Sequence, residues 1–98
     1  MMKPTKYEMM VLLNNEFNDD EIKTWSLNYV KTLQKLNASE ITVSTRGKLE
    51  LSYEIKNQRR GNFIEVTFLS PPKSNEVFRN SLKFDSNVLR FLVLNKAN

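Results

Sequence analysis

From Ile41 to Ile55 every aliphatic or aromatic residue stands at an odd position: Ile41, Val43, Leu49, Leu51, Tyr53 and Ile55, with Thr45 in phase. Successive side chains of a strand point to opposite faces, so a period of two sustained this far predicts a long strand with one buried face, bent at Gly47. A strand of that length needs a partner. Asn57 to Gly61 (NQRRG) is the expected turn, and Asn62 to Leu69, carrying Phe63, Ile64, Val66, Phe68 and Leu69, is the expected return strand of a hairpin.

The flanking segments read differently. Tyr7 to Leu13 (YEMMVLL) is a short apolar run bounded by Asn14 and Asn15, as a buried first strand would be. Asn18 to Leu36 has the helical period, with Ile22, Trp25, Tyr29, Leu33 and Leu36 on one stripe. Asn18 supplies a capping oxygen, Asp19, Asp20 and Glu21 suit the positive end of the helix dipole, Lys31 and Lys35 the negative end, and Asn37 the termination. Pro71 and Pro72 stop the return strand. Ser74 is placed to cap a second helix whose apolar residues are Val77, Phe78 and Leu82. After Asp85, Ser86 and Asn87, Val88 to Leu94 (VLRFLVL) is the last strand, and Asn95 to Asn98 a polar tail.

The order strand, helix, strand, strand, helix, strand in a 98-residue chain predicts one domain, residues 1–98, of the α+β class. It is a ferredoxin-like split β-α-β sandwich: a four-stranded antiparallel sheet with both helices on one face. Right-handed crossovers place the first and third strands in the centre.

Composition narrows the chemistry. The chain has no Cys and no His, which removes the usual general base of neutral pH, the commonest zinc ligands and the Ser-His or Cys-His pairings of covalent catalysis. Catalytic residues, metals and cofactors are therefore not expected, and the acids Asp19, Asp20 and Glu21 read as a helix start rather than a metal cluster. No stretch nears the roughly 20 apolar residues of a membrane span, and Met1 to Lys6 has no apolar signal core. A net charge of +4 favours a polyanionic partner.

The basic residues gather at two points, Arg46 and Lys48 around Gly47, and Lys56, Arg59 and Arg60 at the hairpin turn. On a twisted hairpin these lie at its base and tip, where they would grip phosphates, or else keep turns and edges soluble. Met10 and Leu12 beside Met9 and Leu13, and Leu92 and Leu94 beside Phe91 and Val93, make the first and last strands apolar on both faces. Helices cover only one face of such a sheet, so the other is expected to meet a protein partner, although central strands are also often apolar throughout. Trp25 and Tyr29 fit core packing better than a base-stacking platform, because they share the helical stripe of Ile22 and Leu33. Asn62 to Leu69 lacks the basic-Gly-aromatic-Gly pattern of an RNA-recognition domain.

Four segments in order, Tyr7 to Asn14 (YEMMVLLN), Arg46 to Lys56 (RGKLELSYEIK), Gly61 to Phe68 (GNFIEVTF) and Asp85 to Leu94 (DSNVLRFLVL), resemble the sixth protein of the bacterial-type small ribosomal subunit, plastid versions included. The resemblance spans nearly the whole chain. It implies a ferredoxin-like fold without catalysis or a small-molecule substrate. It also implies assembly with the eighteenth small-subunit protein on the central domain of small-subunit ribosomal RNA, with Arg90 joining the basic turn. Members often carry a basic pair at the positions of Leu49 and Glu50 and Pro at that of Glu54, so phosphate contacts from mid-strand do not carry over. Twelve Asn and ten Lys against five Arg suggest AT-rich coding, which with the absence of a transit peptide points to the ribosome of a plastid stroma, or alternatively a bacterial cytoplasm. Two other readings share the fold. An acylphosphatase-like hydrolase would need a Gly-rich phosphate cradle where Asn14, Asn15 and Glu16 stand, and an oligomerising regulatory domain would pair its open faces.

Overall fold

A computed structural model of the chain describes residues 4–96. Its elements are β1 (Thr5–Asn14), α1 (Asp19–Lys35), β2 (Ser39–Ile55), β3 (Gln58–Ser70), a 3-10 turn (Pro72–Ser74), α2 (Asn75–Lys83) and β4 (Val88–Lys96). All three strand pairs are antiparallel in the order β2-β3-β1-β4, with β1 and β3 central as expected. Of the expected polar tail, Asn95 and Lys96 complete β4, while Ala97 and Asn98, like Met1 to Lys3, lie outside the described residues.

The core is built by parity. Tyr7, Met9, Val11 and Leu13 of β1, Ile64, Val66 and Phe68 of β3 and Val93 of β4 point to one face, where Ile22, Tyr29 and Leu33 of α1 and Phe78 and Leu82 of α2 cover them. Tyr7, Phe68 and Phe78 form the aromatic centre, with ring centroids 5.2 to 5.6 Å apart, within the range of favourable offset and edge-to-face geometry.

α1 begins as its sequence requires. The Asn18 side chain accepts from the Glu21 backbone N–H at 2.8 Å, and the Glu21 carboxylate accepts from the Asn18 N–H at 3.0 Å, a reciprocal capping box. It ends before Asn37, whose positive φ of 65° leaves the helical region. Trp25 and Tyr29 stack at 5.2 Å, and the Trp25 indole donates to Asp85 Oδ2 at 2.7 Å, so both belong to the core layer.

Four local expectations are corrected. The turn of the β2–β3 hairpin is only Lys56 and Asn57, both at positive φ (50° and 65°), between the paired Ile55 and Gln58. Two consecutive left-handed residues match the right-handed twist of the strands, and Asn tolerates that region, so Gln58 to Gly61 are released into β3. Ser74 stands at the start of α2, but its hydroxyl donates to the Leu36 carbonyl at 3.2 Å and makes no cap bond, tying the end of α1 to the beginning of α2. Val77 is 53% exposed, because Phe78 and Leu82, four apart, already fill the stripe that meets the sheet.

The fourth concerns the long alternating stripe of β2. Val43 opposes Val66 and Thr45 opposes Ile64 on the helix side, but the register slips at Arg46, and Gly47 opposes Phe63 on the other side. A one-residue bulge inverts the side chains that follow it, here as far as Glu50, beyond which the register shifts again before Ile55 pairs with Gln58. Ile41 and Val43 therefore pack on the core, while Leu49, in the same odd phase, stands on the open face opposite Gly61.

Candidate nucleic-acid and protein interface

Beyond the Asn14–Gly61 pair, β1 ends and the β2–β3 hairpin continues alone as an arm. The arm does not project straight. The Tyr53 hydroxyl accepts a hydrogen bond from Arg90 Nη1, whose guanidinium lies 5.4 Å from the Tyr53 ring centroid. The Lys56 ammonium donates to the Val88 carbonyl at 3.0 Å. Since β1 lies between β3 and β4, Tyr53 and Lys56 reach β4 only if the arm bends across the end of β1. The second half of β2 borders an open hollow of about 390 Å³ on this face, lined by Met10, Leu12, Leu49, Leu51, Tyr53, Ile55, Phe63 and Leu92.

The four residues expected on the partner face all lie on this side of the sheet: Met10 opposes Leu92, Leu12 opposes Arg90, and Leu94 opposes Glu8. Leu92 (51%) and Leu94 (37%) are exposed. Leu12 is not: at 8% it is already covered within the molecule. Its side chain occupies the space above Gly61, where an added Cβ would stand 2.6 Å from Leu12 Cγ. The apolar surface that Leu12 does not offer is supplied by Leu49 (47%) and Tyr53 (55%), which periodicity alone assigned to the core. Gly47 was the available signal for that reversal.

The basic residues are spread over the arm and its base. Arg46, the bulged residue, pairs with Glu65 at 3.1 Å, Arg60 with Glu50 at 3.0 Å and Arg59 with Glu54 at 3.8 Å. Such exposed pairs contribute about 0–1 kcal/mol each, so the guanidinium groups can exchange a carboxylate for a phosphate at little cost. Lys48 is exposed opposite Asn62 on the other side of the sheet. Lys56 and Arg90 brace the arm, the lysine keeping two N–H donors free by stoichiometry. Arg59, Arg60, Lys56 and Arg90 thus share one end of the molecule, and Arg46 and Lys48 leave the strand on opposite sides of the bulge.

The chain is a ferredoxin-like α+β domain whose open sheet face exposes Leu49, Leu92 and Leu94 beside a cationic arm. Comparison with known proteins supplies the family. Residues 6–95 match the family described as "Ribosomal protein S6". The chain is 62% identical over 96 residues to "Small ribosomal subunit protein bS6c" of Trieres chinensis, covering 98% of this chain and 100% of that protein. It is 53% identical to the protein of the same name in Phaeodactylum tricornutum, covering 93% of each. "30S ribosomal protein S6" of Thermotoga maritima superposes with a TM-score of 0.87 at 18% identity, over 96% of this chain and 89% of that one, and carries the fold. The chain belongs to the ribosomal protein S6 family of the small ribosomal subunit.

Proposed function

We propose that this protein is a non-catalytic constituent of a plastid small ribosomal subunit that binds the central domain of the small-subunit ribosomal RNA jointly with the eighteenth small-subunit protein. One observation supports the reading: an apolar hollow on the sheet face that the helices do not cover is bordered by Arg90, and the arm that forms one wall of it carries the exposed Arg59 and Arg60. Leu92, Leu94, Met10, Leu49 and Tyr53 receive apolar side chains of the partner protein. Arg59, Arg60, Lys56 and Arg90, with Arg46 and Lys48 at the base of the arm, take phosphates. These contacts position the domain on RNA without reading bases. The plastid assignment draws on the names of the Trieres and Phaeodactylum relatives.

The test is gradient sedimentation of extract from cells producing the protein or its Lys56→Ala, Arg59→Ala, Arg60→Ala variant. The native chain is expected to co-migrate with small subunits after a moderate salt wash, and the variant to be depleted from them while melting normally. Equal incorporation of the two would remove the arm from the RNA contact, and a native chain that stays at the top of the gradient would sink the reading altogether.

A further inference from the structure

Arg90 differs from the arginines of the arm and its base in what holds it. Among the described residues, Arg46, Arg59 and Arg60 each pair with a carboxylate, of Glu65, Glu54 and Glu50 in turn. Arg90 is bonded instead to a neutral group, the Tyr53 hydroxyl, which accepts from its Nη1. Its guanidinium, exposed on β4, lies 5.4 Å from the centre of the Tyr53 ring, within the distance at which a ring attracts a cation. A carboxylate cancels much of the charge that it orients, whereas a phenol orients the guanidinium and leaves the charge whole.

The contact that braces the arm therefore constrains the arginine equally. Tyr53 is itself kept in place, because the arm that carries it is pinned a second time by the Lys56 ammonium on the Val88 carbonyl at 3.0 Å, two residues before Arg90. A free arginine side chain gives up rotamer freedom when it binds an anion, and one already fixed by a phenol gives up less. Only one N–H of the guanidinium fork goes to Tyr53. The rest of the fork keeps the planar, multiple-donor geometry that matches a phosphate.

We infer that Tyr53 is a positioning residue for Arg90, holding its guanidinium oriented and without a counter-ion to receive an RNA phosphate. This deepens, and rests on, the reading of Arg90 as a phosphate contact. Tyr53 acts through the arginine and does not itself bind the RNA.

The experiment measures, by fluorescence anisotropy over a salt series, the affinity of the full-length chain for a labelled fragment of the central domain of small-subunit ribosomal RNA. The variants are Tyr53→Phe, Arg90→Ala, the two together, and Tyr53→Phe added to an Arg59→Ala, Arg60→Ala chain. Tyr53→Phe removes only the hydroxyl of a side chain that is 55% exposed, so the thermal midpoint should stay at the native value. Binding should weaken roughly 2- to 13-fold, the range that the cost of ordering one side chain allows, with the salt slope kept, because the phosphate is still neutralised. Arg90→Ala should weaken binding and reduce the salt slope by about 0.9, one phosphate's share. Tyr53→Phe should then add nothing, the non-additivity of two groups that act as one. Beside Arg59→Ala and Arg60→Ala the loss on Tyr53→Phe should persist. A Tyr53→Phe loss that survives Arg90→Ala makes the tyrosine an RNA contact in its own right, and one that vanishes beside Arg59→Ala and Arg60→Ala makes it a brace for the arm alone; either overturns the inference. If Arg90→Ala weakens binding and Tyr53→Phe does not, the inference fails and the phosphate reading stands. A native chain with no salt-dependent affinity for the RNA overturns both.

Discussion

Gly61 and Tyr29 are single residues on which opposite faces of the sheet depend. At Gly61 a Cβ would meet Leu12 Cγ at 2.6 Å and the Leu13 carbonyl oxygen at 3.1 Å. The side chain could move but the backbone oxygen cannot, so Gly61→Ala should destabilise by about 1–3 kcal/mol, as overpacking does. Urea unfolding checks this, and the variant should also expose Leu12 and loosen the arm. On the helix side, the Tyr29 hydroxyl donates to the Phe78 carbonyl at 2.9 Å and accepts from Ser81 at 3.3 Å. Burial pushes its pKa up from 10.0 to about 12, the Ser81 bond opposing part of that rise. A proton held more tightly in the folded state means that this contribution to stability is complete below pH 10.0 and is lost as pH climbs to about 12. The loss amounts to about 2–3 kcal/mol. Tyr29→Phe should remove that alkaline slope, and it should cost about 0.5–1.5 kcal/mol at neutral pH through the loss of one hydrogen bond, since Ser81 Oγ still donates to the Phe78 carbonyl at 2.6 Å; denaturant titrations at stepped pH measure both.

At the scale of the element, β2 carries the unusual feature. It is one continuous strand of 17 residues, yet its two halves serve opposite faces. The switch is Gly47, at φ 86° and with open space where a Cβ would stand. Steric room is therefore not what excludes other residues; backbone conformation is. Gly47→Val should cost about 1–3 kcal/mol through strain alone, read as a thermal midpoint lower by roughly 4–20 °C for a domain of this size. The type of residue at the hairpin turn acts in the same way. Lys56 and Asn57 take positive φ, which shortens the turn to two residues and extends both strands of the arm, so the cations of β3 are displayed along a rigid ribbon rather than in a loop.

The whole molecule is elongated, 45 × 25 × 22 Å. Its helices, core and aromatic centre occupy one side, and its apolar hollow the other. Leu92 and Leu94 point away from the core into that open side. Leu92→Glu with Leu94→Glu should thus leave folding within about 1 kcal/mol of native, since surface changes move stability by about 0.5 kcal/mol each. If this face receives the eighteenth small-subunit protein as proposed, the same pair should abolish co-purification with it by burying two unpaired charges. Retained pairing, measured by co-purification and by calorimetry of the two proteins, would move the partner elsewhere on the domain. Binding to RNA by the native chain should fall steeply with salt, the logarithm of affinity declining by about 0.9 for each phosphate neutralised per tenfold rise in salt.

Residue order alone determined the six elements, the two central strands and the core face of β1, because Tyr7, Met9, Val11 and Leu13 alternate along the strand and Ile22, Tyr29 and Leu33 form the helical stripe that covers them. The tertiary structure decided what the periodicity of β2 meant. Leu49, Leu51 and Tyr53 continue the odd phase of Ile41 and Val43 without a break, and only the ladder against β3 reveals the extra residue at Arg46 that turns Leu49 outward and the further shift between Glu50 and Ile55. Contacts distant in the chain, Lys56 with Val88 and Tyr53 with Arg90, then bend the arm and cover Leu12. Periodicity reports which side chains share a face of an isolated strand. Which face that becomes is set by register against a partner, a property no single segment contains.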